Sequence, residues 1–155
     1  MLSAECWGDA VMIEYATMTV ADVREALDLW AACEGIGLRG VDSPEELPKY
    51  LARNPGQSFV AREEGRMVGA VLCGHDGRRG YLHHLAVAAQ HRRRGIGAAL
   101  VERCLDALRA NGISKCHLMV YHHNAAGQAF WRGAGWHARD DILLMSRNLT
   151  DDPNA

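Results

Sequence analysis

Apolar residues recur three or four positions apart at Val20, Val23, Leu27 and Trp30, and this spacing predicts an amphipathic helix within TVADVREALDLWAACEG. Thr19 with Asp22 makes a capping-box pair at its start, and Gly35 ends it. The segment VMIEYA before it reads as a short strand. After it comes a glycine-rich loop, GIGLRGVD, and Ser43-Pro44 then opens a second short helix, closed by the turn Arg53-Asn54-Pro55-Gly56. From there the period changes from helical to two. SFVARE and MVGAVLCGH flank Glu64-Gly65-Arg66 as a hairpin, Asp76-Gly77 opens a second turn, and YLHHLAV is a third strand of an antiparallel meander.

The helical period returns at Ile96, Leu100, Cys104 and Leu108, which predicts a long helix from about Gly95 to Asn111, stopped by Asn111-Gly112. KCHLMVYH reads as a strand, NAAGQAFWRGAG as a short helix capped by Asn124, and DILLMSRNL as a last strand. The order β-α-α-β-β-β-α-β-α-β defines one α/β (α+β) domain over 1–155, a mixed, mostly antiparallel sheet flanked by helices. Its core is expected over about 11–149, with frayed ends at 1–10 and 150–155.

With 155 residues and 48% hydrophobic content, the chain is long enough to bury one proper core. Seventeen Lys and Arg stand against nineteen Asp and Glu, a net charge of -2, so attraction to phosphate must be local. That balance weighs against nucleic-acid binding. No apolar run approaches the roughly 18 residues of a membrane span, and no leader pattern opens the chain, so a cytoplasmic protein is expected. Cys6, Cys33, Cys73, Cys104 and Cys116 are odd in number and widely spaced, which fits reduced packing residues. His75, His83, His84, His122 and His123 show neither helical i,i+4 spacing nor a cysteine at zinc-ligand distance, so no metal site is expected.

The stretch HRRRGIGAAL sits where a strand ends and a helix begins. Unpaired N–H groups and a partial positive charge make such a helix start an anion site. Gly95 and Gly97 keep side chains out of the approach, and Arg92, Arg93 and Arg94 add attraction from outside. The glycines fit neither a dinucleotide fingerprint nor a P-loop, which would need further glycines and an acid, or Gly-Lys-Ser/Thr. Arg92-x-x-Gly95-x-Gly97 after Leu85-Ala86-Val87 does resemble motif A of the GCN5-related N-acetyltransferase (GNAT) superfamily. NAAGQAFWRGAGW resembles the family's N-x-x-A…F-Y-x-x-x-G-F segment, so the resemblance spans nearly the whole chain. It implies that Arg92, Arg93, Arg94, Gly95, Ile96 and Gly97 hold the pyrophosphate of acetyl-CoA. It implies further that Leu85, Ala86 and Val87 offer backbone groups to the pantetheine arm, with Asn124 bonding to the same arm. A plain helix cap is an equally good reading of Asn124.

Transfer to an amine requires that an ammonium of pKa about 10.4 first lose a proton. A histidine can relay that proton to solvent. YLHHLAV resembles the H-L-H-x-L-A-V strand of the family's arylalkylamine members, in which the second histidine matches His83. His83, then His84, are the candidate bases; simple alternation puts them on opposite faces, and a bulge in this strand, which the resemblance implies is common, would scramble that assignment. The tyrosine that usually serves as acid is replaced by Trp131, whose indole donates a hydrogen bond but is no acid. Trp131 can pack beneath the cofactor arm or in the core; Tyr121, then Tyr81, are the substitute acids.

The resemblance implies that the acceptor enters over the first helices and their loop, where Glu34, Asp42 and Glu45 suit a cationic amine and Arg39 an anionic one; ordinary surface charges on a solvated loop are the plainer reading of each residue singly. The leading expectation is an enzyme moving acetyl from acetyl-CoA to a small-molecule, amino-acid-derived or protein amine. The rival is a CoA-sensing or partner-binding domain that performs no transfer. The final strand, Ile142 to Leu149, can serve as an edge for pairing in a homodimer, and burial within the monomer is an equally good reading of it.

Overall fold

A computed structural model describes residues 11–155; the expected ragged start lies outside the described residues. Five strands form one sheet in the order β1-β2-β3-β4-β5. They are β1 (Ile13–Thr17), β2 (Phe59–Glu63), β3 (Arg66–His75), β4 (Gly80–Val87) and β5 (Cys116–Leu118). The first four are antiparallel neighbours, and β5 joins β4 in parallel. The β2–β3 turn carries Glu64 at φ 50° and Gly65 at φ 78°, two left-handed residues in succession, which matches the twist of the strands it joins. At the next turn Asp76 Oδ1 accepts from the Arg78 and Arg79 amides at 2.8 and 2.7 Å.

Helices cover both faces. On one, α1 (Val23–Ala31) and α2 (Leu47–Arg53) bury Val23, Ala26, Trp30, Leu47 and Leu51 against Val60, Ala70, Leu72 and Ala86. On the other, α3 (Ile96–Ala110) buries Ile96, Leu100, Cys104 and Leu108, the four positions its period predicts, against Ala61, Val71, Cys73 and Leu82. A polar knot pins α1 to the meander. Arg62 bonds Asp22 at 2.8 Å and Glu25 at 2.7 Å, and the other Glu25 oxygen accepts the Met67 amide at 2.8 Å.

The structure corrects the sequence reading at several places. The Thr19–Asp22 capping box is present, but it opens a 3-10 turn in which Val20 is exposed, and α1 starts only at Val23. Ser43 starts a turn by accepting the Glu46 amide at 3.1 Å, and α2 follows four residues later with Pro48 in its first turn. The strand expected through His122 ends at Leu118. The last expected strand does not form. Ile142, Leu143, Leu144 and Met145 lie in irregular chain at 60–83% exposure. A paired strand needs a neighbour's edge, and β5 offers three residues of it. The polar tail rests on the α1–α2 loop, where the Gly40 amide donates to the Asn154 carbonyl at 3.2 Å.

Candidate active site

The site starts from an irregularity in β4. Ala70 pairs with Ala86 and Leu72 with His83, so one residue of β3, Val71, faces two of β4, His84 and Leu85. This is a β-bulge, with His84 in the left-handed region at φ 54°. Its effect is visible in the core. Leu82 packs with α3, whereas Ala86, four residues on and nominally on the same face, packs with α1 and α2. The alternation that would separate the two histidines is therefore broken, and both rings turn toward the α1–α2 layer. His83 meets Tyr50 of α2 at 6.3 Å between ring centroids, and His84 meets Trp30 of α1 at 5.4 Å.

The two environments differ. His83 lies parallel to Tyr81, 6.4 Å between centroids, and burial, with the adjacent His84 ring adding to it, pushes its pKa below the ordinary histidine value. His84 Nε2 lies 2.8 Å from Asp42 Oδ1, while Asp42 Oδ2 accepts the Arg39 amide at 2.8 Å. Side-chain exposure is only 17% for His84 and 7% for Asp42. Burial acts to raise the Asp42 pKa, but the bonds from His84 and the Arg39 amide outweigh it and leave the carboxyl below its usual range.

The same loop reaches two further candidates. A methyl group on Gly37 would overlap the Tyr121 hydroxyl, and one on Gly35, at φ 80°, would overlap the Asn124 amide. Loop 35–42 thus touches Asn124, Tyr121 and His84 in turn. Tyr121 follows the end of β5, stacks on His123 at 5.2 Å, and has its carbonyl held by Gln128 Nε2 at 3.1 Å. Asn124 caps α4 (Ala125–Gly133), its Oδ1 accepting the Gly127 amide at 2.9 Å.

Pairing of β4 with β5 stops at Leu82–Leu118, so the β5 side of His83–Val87 is an unpaired edge. The Val87 carbonyl on that edge accepts from Arg92 Nε at 3.2 Å. At the end of that edge α3 begins without any side-chain cap, its first helical bond running from the Ala99 amide to the Gly95 carbonyl at 3.0 Å. The amides before Ala99 have no acceptor within the helix, which suits a diphosphate.

The arginines and glycines divide their tasks. Arg94 is bound to Glu63 at 2.7 Å, and Glu63 also holds His91, so these residues brace the loop against β2. Arg93, at φ 61°, has no ion-pair partner among the described residues. Gly95, at φ 77°, borders open space. Gly97 faces inward, where an added Cβ would sit 3.4 Å from Phe130 and 3.7 Å from Val87. Ile96 is 1% exposed in the core and can offer only its backbone.

Trp131 packs edge-on against Phe130 and Trp136, at 5.0 and 5.3 Å, beside the α3 core. Cys73 and Cys104 are buried together, and their mutual hydrogen bond, with burial, pushes the Cys104 thiol far up; burial raises Cys116 to about 12. The Cys104 and Cys116 thiols stay protonated and pack. Sequence reasoning named Asp42 only as a possible amine contact and missed its bond to His84; a bulge leaves no mark in the residue pattern.

The sequence matches the Acetyltransferase (GNAT) family over residues 23–136, and the chain belongs to that family. An acetyltransferase of Sodalis glossinidius is 33% identical over 132 residues, which are 84% of this chain and 92% of that protein. Among solved structures, the PaiA N-acetyltransferase of Thermoplasma acidophilum in complex with coenzyme A superposes with TM-score 0.73 at 18% identity, covering 84% of this chain and 93% of that one. A ribosomal-protein-alanine N-acetyltransferase of Brucella melitensis gives 0.68 at 21% identity, covering 87% and 99%. The chain is thus an N-acetyltransferase that takes its acetyl group from acetyl-CoA. The uncapped α3 start and the open edge of β4 fit that donor.

Proposed function

We propose that the acceptor is a primary amine of a small molecule, an amino-acid derivative or a protein. The observation that carries this reading is the placing of a histidine, His84, on a bulge beside the unpaired edge of β4. The amine lone pair attacks the thioester carbonyl, a C–N bond forms and the C–S bond breaks; the nitrogen then sheds its second proton, which goes to the departing thiolate, giving the amide and free thiol. The chain's part is to remove one proton from the ammonium beforehand and to stabilise the leaving sulfur. His84 takes the proton; His83, held neutral by burial, backs it. Tyr121 supplies the donor to sulfur, with Trp131 packing rather than acting as an acid.

In this reading the pyrophosphate lies on the amides of 94–98, with Arg92 and Arg93 on the terminal phosphates and Asn124 on the pantetheine arm. Acceptors enter past loop 35–42, whose glycines make it adaptable. The described cysteines are free, in keeping with the cytoplasm, and no described helix is long and apolar enough to cross a membrane. The exposed Ile142–Met145 run is the surface we assign to a homodimer, which sedimentation with Leu144→Glu would test. No nucleic-acid partner is proposed.

The experiment is release of free thiol from acetyl-CoA with spermidine, sisomicin, alanine amide and a peptide with a free N-terminal alanine. Amine-dependent release with formation of the acetylated amine supports transfer to a primary amine. Trp131 at the usual tyrosine position favours a second reading, a CoA sensor, which predicts binding of CoA with no thiol release for any amine.

A further inference from the structure

We infer that Asp42 is a positioning residue: it holds His84 in the tautomer that carries its proton on Nε2 and so keeps Nδ1 free to take the proton of the acceptor ammonium. The inference rests on the proposed role of His84. Its basis is geometric. Asp42 comes from the acceptor loop and His84 from the bulge, and they meet at 2.8 Å with both side chains largely shielded from water. Because an ionised carboxylate only accepts hydrogen bonds, His84 Nε2 must donate. Nδ1 then carries the lone pair, and it makes no hydrogen bond among the described residues.

The second Asp42 oxygen is committed as well, since it accepts the Arg39 amide at 2.8 Å. The carboxylate therefore cannot rotate without losing a bond. Trp30, fully buried, packs beside the same ring at 5.4 Å between centroids and 54° between planes. The other titratable neighbours are His83 on the same strand and, beyond it, Tyr50 of α2 and Tyr81 of β4. Asp42 is thus the charged group that offsets a positive charge on His84 when the proton arrives. The ammonium proton passes to Nδ1, Nε2 keeps its own proton on Asp42, and the imidazolium returns the Nδ1 proton to solvent. The loop that shapes the acceptor entrance therefore also aligns the relay.

The test is Asp42→Asn. The Arg39 amide requires an acceptor, so the asparagine oxygen stays with Arg39 and its NH₂ faces Nε2, which forces the His84 proton onto Nδ1. Nitrogen-15 NMR of the free protein reads the tautomer without any acceptor. We expect Nε2–H in the wild type and Nδ1–H in the variant. Thiol release from acetyl-CoA with spermidine, sisomicin and the alanine peptide should show kcat down ten- to a hundredfold and the KM for acetyl-CoA within twofold. An unchanged tautomer, or a switched tautomer with unchanged kcat, overturns the inference. Should Asp42→Asn not fold, His84→Gln decides: a retained acid limb in that variant overturns it too. A wild type silent with every amine would refute the acceptor reading, while the tautomer measurement still decides the role of Asp42.

Discussion

Asp42 and His84, 42 residues apart in the chain, meet at 2.8 Å because a bulge in β4 turns His84 toward the loop that carries Asp42. The contact joins the two halves of the proposed site: the loop over which we propose the acceptor enters and the strand whose free edge suits the pantetheine arm. Gly35 and Gly37 bring the same loop against Asn124 and Tyr121 with no room for a side chain. Loop and strand are therefore set by one network.

Replacing Gly37 with alanine should displace that network. The new methyl meets the Tyr121 hydroxyl, so Gly37→Ala should raise the KM for the amine and lower kcat together. Adding Tyr121→Phe should restore the KM, because the ring loses the clashing oxygen, while kcat stays low if the hydroxyl serves the leaving sulfur. One lost neutral donor corresponds to about 0.5–1.5 kcal/mol, roughly a twofold to tenfold loss in kcat. Steady-state kinetics of the two single variants and the double variant check this.

Asn124 has two separable roles. Asn124→Ala removes the cap on Gly127 and should cost about 1 kcal/mol of stability in a thermal melt. Asn124→Asp keeps an accepting oxygen for the cap and loses the NH₂ group beside Gly35. It should therefore melt near the wild-type temperature yet show a higher KM for acetyl-CoA; an unchanged KM would leave the cap as its only role.

The start of α3 distinguishes cradle from charge. An alanine at Gly97 fits, since its Cβ would stand 3.4 Å from Phe130, but the two γ-methyls of valine must push Phe130 and Val87 aside. Gly97→Val should weaken CoA binding at least tenfold, and Arg93→Ala only a few-fold, measured by calorimetric titration. The reverse order would assign the affinity to the charged patch.

Acid should loosen α1 from the sheet. Burial acts to raise the Asp22 and Glu25 pKa values, but hydrogen bonds from the Thr19 and Met67 amides and from Arg62 hold both carboxyls below their ordinary values. A depressed folded pKa gives stability that is present above the unfolded value, near pH 4, and is lost as pH falls through the folded one. Arg62→Gln should reduce stability by about 1 kcal/mol at pH 7. The gap to wild type should close below about pH 4 in urea melts, as both carboxyls become protonated.

The β2–β3–β4 meander was legible because Glu64-Gly65 and Asp76-Gly77 are turn chemistry set between period-two runs. The face of α3 was legible because Ile96, Leu100, Cys104 and Leu108 repeat at helical spacing. Local signals also revealed the caps at Thr19 and Asn124. The last strand was misread from Ile142-Leu143-Leu144-Met145, an apolar run with no alternation, whose pairing depends on an edge elsewhere that β5 provides for only three residues. The placement of the two histidines on opposite faces by simple alternation gives way at the bulge, whose position is a property of how β4 pairs with β3 rather than of either strand alone. Asp42 as the partner of His84 was invisible for the same reason, since nothing local ties a loop acid to a residue 42 positions on.

The central claim is that the open edge of β4 and the uncapped start of α3 together bind the acetyl donor. Thermal unfolding with acetyl-CoA, CoA, ADP and a DNA duplex tests it most directly. A ligand present at 100 times its Kd adds about 2.7 kcal/mol, roughly 5–10 °C for a domain of this size. Both CoA species should give this shift, ADP a smaller one, and the duplex none; no shift with either CoA species would contradict the account.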